Sequence, residues 1–182
     1  MNRVIVMVFV VLLCSCGETI PRKPVQVKSG SFYKASVTRS KEILAQEEAV
    51  IQSLIEKDTS HTYFSSADGF WYHYEVQNAK DEYRPKTNDE IVFTYNVMTL
   101  QGDTIYKKST IGLVQHAIDK SQLFPGLRNG LKLLKSGEQA TFIFPSSQAY
   151  GYKGDTSKIA PLTPIKSSVN VLKIIKRKDS LN

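Results

Sequence analysis

From Ser65 onward the apolar residues recur mostly at every second position, and the helical spacing returns in only one place. Ile91, Phe93, Tyr95 and Val97 share one face of a strand over Ile91 to Met98, and Ala140, Phe142 and Phe144 share one face over Gln139 to Phe144. Phe70 to Val76 is rich in β-forming aromatics and follows a turn at Ser66 to Gly69. Gln101-Gly102-Asp103 is a second turn, leading into a short strand over Thr104 to Lys107, and Ser168 to Ile174 is the last strand. The exception opens at Pro125-Gly126, where Leu127, Leu131 and Leu134 follow helical spacing up to a C′ residue at Gly137. One short helix among five or so strands predicts an α+β domain whose antiparallel sheet buries a face on that helix.

Ahead of this region the period is helical. Ile43, Ile51, Leu54 and Ile55 fall near one face of a helix predicted over Ser40 to Lys57, with Ser40 as its N-cap. Residues 17 to 38 are polar, carry Pro21 and Pro24, and read as a tether. At 182 residues the chain holds one ordinary domain plus these additions.

Several chemistries lack their residues. There is no GxSxG elbow, no HExxH and no phosphate-cradling loop ending in Gly-Lys-Ser/Thr. His61, His73 and His116 share no metal-ligand spacing, so no metal or other cofactor is expected. No carboxylate pair stands out for acid–base work. The net charge of +7 is scattered apart from Lys173 to Lys178, and no basic stripe interleaves with aromatics, which argues against nucleic acid. An enzyme on this chain must work without a nucleophile or a metal, and peptide-bond rotation is one reaction that can.

The N-terminus carries Arg3 and then the uninterrupted apolar run Val4 to Leu13. That run is shorter than the roughly 20 residues a membrane span needs and fits the core of a signal peptide. Leu13-Cys14-Ser15-Cys16 resembles the lipobox of bacterial lipoproteins. That resemblance implies cleavage before Cys16, a diacylglyceryl group on its thiol and a lipid-anchored mature chain. Cys14 would be discarded, leaving no thiol for a disulfide or a metal.

Five segments in order resemble the FKBP family of peptidyl-prolyl cis/trans isomerases. They are Asp68 to Val76; Asp89 to Tyr95 with Gly102 to Tyr106; Leu123 to Leu127 continuing to Gly137-Glu138; Phe144-Pro145 with Gln148 to Gly151; and Ile159-Ala160-Pro161 leading to Val169 to Leu172. With its lipobox and helical extension the chain looks similar to the gliding-motility-associated FKBP-type lipoproteins. The organisation expected is a signal peptide over 1–15, a tether over 16–38 and a helical extension over 39–60. An isomerase domain follows over 61–178, with its best-matching core at 88–176.

The resemblance implies an FKBP-like half-barrel sheet wrapped on one short helix, with a proline-binding pocket between them. Tyr95 would line its wall and Ile105 would stand where the family usually has Phe. Leu123 and Phe124 would sit at the helix start, the Phe124 amide holding a substrate carbonyl. Leu127 would form the floor, where many members carry Trp, Tyr150 would hydrogen-bond substrate, and Ile159 would close the top. Two positions depart from the pattern. Tyr106 replaces the family's pocket Asp, and Ser167 falls where an aromatic usually completes the wall.

The implied function is an isomerase of proline-containing polypeptides that assists folding in the cell envelope, linked to gliding motility. Its implied partners are those polypeptides, the membrane through Cys16, and envelope motility proteins. Two alternatives stand beside it. One is a catalytically weak or inactive peptide-binding or chaperone module. The other is a structural part of an envelope motility complex that docks through the helix near residues 40 to 57.

Overall fold

The computed structural model describes residues 29–120 and 122–177. The chain divides into two compact units, Met1–Ser36 and Val37–Asn182, and the sheet lies wholly in the second. Among the described residues no helix is long and apolar enough to cross a membrane.

Helix α1 spans Ser29–Lys57. It is followed by β1 (Phe64–Ser65), β2 (Trp71–Val76), β3 (Glu90–Tyr95), β4 (Val97–Met98) and β5 (Thr104–Tyr106). A single helical turn, α2 (Lys108–Ile111), leads to β6 (Val114–Ala117) and then to α3 (Pro125–Leu131). After β7 (Gln139–Phe144) come two 3₁₀ turns, Ser146–Gln148 and Gly151–Lys153, and the long β8 (Ile165–Ile175) closes the described chain. The strands form one antiparallel sheet in the order β1-β2-β7-β8-β3-β6, with β4 paired to β5 and β8.

The two faces of the sheet bury different neighbours, as strand alternation requires. On one face Phe70, Phe93, Phe142, Phe144, Val169 and Val171 pack with Leu127, Leu131 and Leu134, which follow the helical spacing read from the sequence. Each such fully buried side chain contributes about 1.5–3 kcal/mol. On the other face Ile143 and the partly buried Trp71 pack with Ile51, Leu54 and Ile55 of α1 and with Leu100. The α1 contact is pinned by one carboxylate: Glu47 accepts hydrogen bonds from the Ser146 N–H at 2.7 Å and the Ser146 hydroxyl at 2.6 Å, all of them buried.

Two glycines let α3 lie close on β7. A Cβ on Gly126 would strike the Phe144 ring, and one on Gly130 would stand 2.9 Å from the Phe142 ring. The helix-to-strand approach is therefore set by hydrogen atoms where any other residue would place carbon.

The α+β class, the antiparallel sheet and the single core-facing helix agree with the sequence reading. Several boundaries do not. Helix α1 begins at Ser29, so Ser40 lies inside it and is not the N-cap. The added turns carry only a few scattered apolar residues, Phe32, Tyr33 and Val37, too few to mark a stripe, but they also hold no proline to stop a helix. Helix α3 ends at Leu131, short of Gly137, because the Leu133 and Leu134 amides tighten onto Gly130 and Leu131. Gly137, at φ +81°, instead turns the chain into β7 and donates its N–H to the Val171 carbonyl at 2.8 Å. The predicted strand over Ile91 to Met98 breaks at Asn96, whose side-chain carbonyl accepts the Ser168 N–H at 2.7 Å. The strand β6 and the turn α2 were not anticipated.

Candidate active site

The structure brings all eight candidate pocket residues to one cluster. Leu127 and Ile159 are buried within the core on the α3 side of the sheet, and Tyr95, Ile105, Tyr106, Leu123, Phe124 and Tyr150 pack half-buried against it. They arrive from several local structures. Tyr95 ends β3, Ile105 and Tyr106 end β5, and Leu123 and Phe124 lead into α3. Phe124 is the N-cap of α3, extended at φ −64° and ψ 153°, and Pro125 fills the first helical position. Tyr150 sits between the two 3₁₀ turns, and Ile159 lies on the loop beyond them.

Aromatic contacts fix the rim. The Phe124 ring centroid lies 5.2 Å from that of Tyr150 and 5.3 Å from that of Phe144, while Phe93 stacks on Tyr95 at 5.7 Å. Burial pushes the Tyr95 hydroxyl above its ordinary pKa. Burial does the same to Tyr150 more strongly, and Tyr95, Asp155 and Tyr106 reinforce the shift. Both phenols are therefore neutral hydrogen-bond donors at physiological pH.

The sequence reading missed Asp155. Its Oδ1 accepts the backbone N–H groups of Ser157 at 2.9 Å, Lys158 at 2.9 Å and Ile159 at 2.7 Å. Its Oδ2 accepts a short hydrogen bond from the Tyr106 hydroxyl. One carboxylate thus knots the loop that presents Ile159 and ties it to β5. Burial works to raise the Asp155 pKa, but the Tyr106 hydroxyl and the three amides outweigh it and hold the carboxyl at about 2. The Lys158 ammonium lies 5.2 Å from the centre of the Tyr106 ring. At Gly154, φ is +67° and a Cβ would collide with the Ile159 carbonyl, so the knot also requires glycine there. The Asp-Thr-Ser run after a glycine was the available signal, an Asx-type turn whose side chain caps amides two residues on.

Ser167 is fully buried on β8, and its hydroxyl donates to the Asn96 carbonyl at 2.7 Å. Cys16 lies outside the described residues. His116 is buried on β6, while His61 and His73, far apart by spacing, have ring centroids only 4.1 Å apart. Together with Glu75 they place three potential ligand atoms within 4.8 Å of one another.

Comparison with known proteins adds family information. A family model described as FKBP-type peptidyl-prolyl cis-trans isomerase matches residues 81–172. A curated protein named probable FKBP-type peptidyl-prolyl cis-trans isomerase FkpA, from Neisseria meningitidis serogroup B, is 29% identical over 149 residues. That alignment covers 82% of this chain and 52% of the relative, so the chain spans about half the length of the curated relative it matches. Among solved structures, FkpA from Escherichia coli aligns with a TM-score of 0.59 at 22% identity, over 96% of this chain and 81% of that one. A peptidyl-prolyl cis-trans isomerase from Pseudomonas syringae pv. tomato also aligns at 0.59, with 17% identity, over 75% of this chain and 96% of that one. The last two are likenesses of fold.

Proposed function

The chain belongs to the FKBP-type peptidyl-prolyl cis-trans isomerase family, and on that premise we propose that its aromatic-rimmed cluster accelerates rotation about X–Pro bonds in polypeptides. The observation that carries the reading is the convergence of Tyr95, Phe124, Leu127, Tyr150 and Ile159 on one side of the sheet.

The chemistry fits that surface. Rotation about an X–Pro bond meets a barrier of about 18–20 kcal/mol because the twisted state loses C–N resonance. Water stabilises the planar, polar ground state more than the twisted one. An apolar surface of Ile105, Leu127 and Ile159 replaces that water around the prolyl ring. The Phe124 amide and the Tyr150 hydroxyl then hold the substrate carbonyls in the twisted form. An acceleration of roughly 10⁵- to 10⁶-fold needs only about 7–8 kcal/mol. No bond breaks, so no general acid is needed, and loss of the family's pocket Asp to Tyr106 does not by itself remove the mechanism.

The same reading places the protein in the cell envelope, held by lipid on Cys16 and assisting the folding of secreted or envelope proteins, with gliding motility as one setting. It divides the chain into signal peptide (1–15), tether, helical extension and isomerase domain (61–178), with the boundary expected at 38/39 between tether and extension moved back to the start of α1 at Ser29. The lipobox-like Leu13 to Cys16 and the match to FkpA support this placement.

Tyr106 and Ser167 favour a second reading, a module that binds prolyl segments without turning them over. Exchange NMR on a short X–Pro peptide with the full chain separates the two. Isomerase activity raises the cis/trans exchange rate, whereas a binding module shifts the peptide resonances and leaves that rate unchanged.

A further inference from the structure

The sheet face opposite the proposed pocket carries a second constellation. Strand alternation puts Trp71, His73 and Glu75 on that side of β2, where the segment after α1 folds back over them. His73 is 3% exposed and packs against the His61 ring at 4.1 Å and, edge-on, against the Tyr63 ring at 4.8 Å. Its Nε2 stands 3.8 Å from Glu75 Oε1, beyond hydrogen-bond range, and its Nδ1 meets no partner. A buried ring nitrogen without a well-formed hydrogen bond is costly unless something else engages the imidazole.

His61 is arranged as a ligand. Its Nδ1 lies 2.9 Å from Asp58 Oδ2, and a carboxylate only accepts, so Nδ1 carries a proton and Nε2 is the nitrogen whose lone pair the neutral ring offers to a metal. Asp58 is itself fixed by the Tyr63 hydroxyl at 2.9 Å and the Ser60 N–H at 3.0 Å. A carboxylate behind a histidine, orienting the ring and setting its tautomer, is how metal-bound imidazoles are supported. Glu75 falls at the irregularity in the β2–β7 register, between Tyr74 and Val76, and its Oε1 accepts a hydrogen bond from Thr141.

We propose that His61, His73 and Glu75 form a binding site for one divalent transition-metal ion, with Asp58 orienting His61. Two imidazoles and a carboxylate suit zinc and its neighbours rather than calcium or magnesium, which take oxygen ligands. Bound metal ties the segment following α1 to β2, on the face away from the proposed pocket. The ligands are spread over a loop and a strand, so their spacing in the chain gives no sign of the site.

The test uses the untagged full chain, stripped with a chelator and titrated with zinc chloride by calorimetry and thermal melting, with calcium chloride as control. The site predicts one zinc per chain and a higher melting temperature with zinc but not with calcium. His61→Ala and Glu75→Gln should each abolish the stoichiometric binding, and Asp58→Asn should weaken it roughly ten- to a hundredfold. His61 is partly exposed, so His61→Ala should keep the metal-free melting temperature and the prolyl exchange rate of the parent. Zinc binding weaker than about 1 mM, or binding that persists in both His61→Ala and Glu75→Gln, overturns the proposal.

Discussion

The Tyr106 hydroxyl donates a hydrogen bond to the Asp155 carboxylate, joining the end of β5 to the loop that presents Ile159. The two residues are 49 positions apart. On the proposed reading Tyr106 takes the place of the family's pocket acid, and Asp155 then brings an acid to the same neighbourhood from another element. Its partners differ from those of a free pocket carboxylate. Three backbone amides and a phenol occupy it, so Asp155 acts by holding the loop in place.

Asp155→Ala should therefore loosen the loop and lower kcat/KM for an X–Pro peptide by about tenfold, the effect of roughly 1.4 kcal/mol in transition-state positioning. Tyr106→Phe removes only one of the four bonds and should have a smaller effect. Exchange NMR on both variants checks the order.

The same carboxylate makes an acid-stability prediction. Its folded pKa of about 2 lies below the ordinary 3.8, so ionised Asp155 stabilises the fold fully above pH 3.8 and loses that contribution as pH falls toward 2. Urea melts of the parent and Asp155→Asn should differ at pH 5, and the gap should close between pH 4 and pH 2. Asp58, Asp89 and Asp119 also have lowered values, but they are common to both proteins and cancel in the difference.

Tyr150→Phe removes a hydroxyl and little else. Loss of one hydrogen bond of about 1 kcal/mol should slow catalysed exchange about fivefold. The melting temperature should hardly change, because the ring contact with Phe124 remains.

Glu47→Ala should destabilise the protein by about 2–3 kcal/mol, since it leaves the buried N–H and hydroxyl of Ser146 without their acceptor. Chemical denaturation measures this directly.

Gly126→Ala should cost about 1–3 kcal/mol and reduce exchange activity together, because the added methyl forces α3 away from the Phe144 ring. Activity and stability measured on the same preparation test that coupling.

How much of this was legible in the sequence depended on whether the signal was local. Period and turn residues report local structure, so the alternation of Phe93 and Tyr95, the Leu127–Leu131–Leu134 stripe and the turn at Gly69 were all readable. The gathering of Tyr95, Phe124, Leu127, Tyr150 and Ile159 followed from family resemblance, since no periodicity brings four separate segments together. Strand β6 stayed hidden because it is four residues long and pairs only at the edge, with a buried His116 at its centre. The first turns of α1 stayed hidden because they carry no apolar stripe. The Tyr106–Asp155 bond and the His61–His73 contact are products of tertiary structure, and propensity says nothing about either.

The most direct test of the isomerase reading is a protease-coupled assay on an X–Pro peptide with substoichiometric full chain. Uncatalysed isomerisation takes tens of seconds at 25 °C. The predicted result is a relaxation rate that rises in proportion to protein concentration. A rate that stays at the spontaneous value at every concentration, with the protein folded, contradicts it.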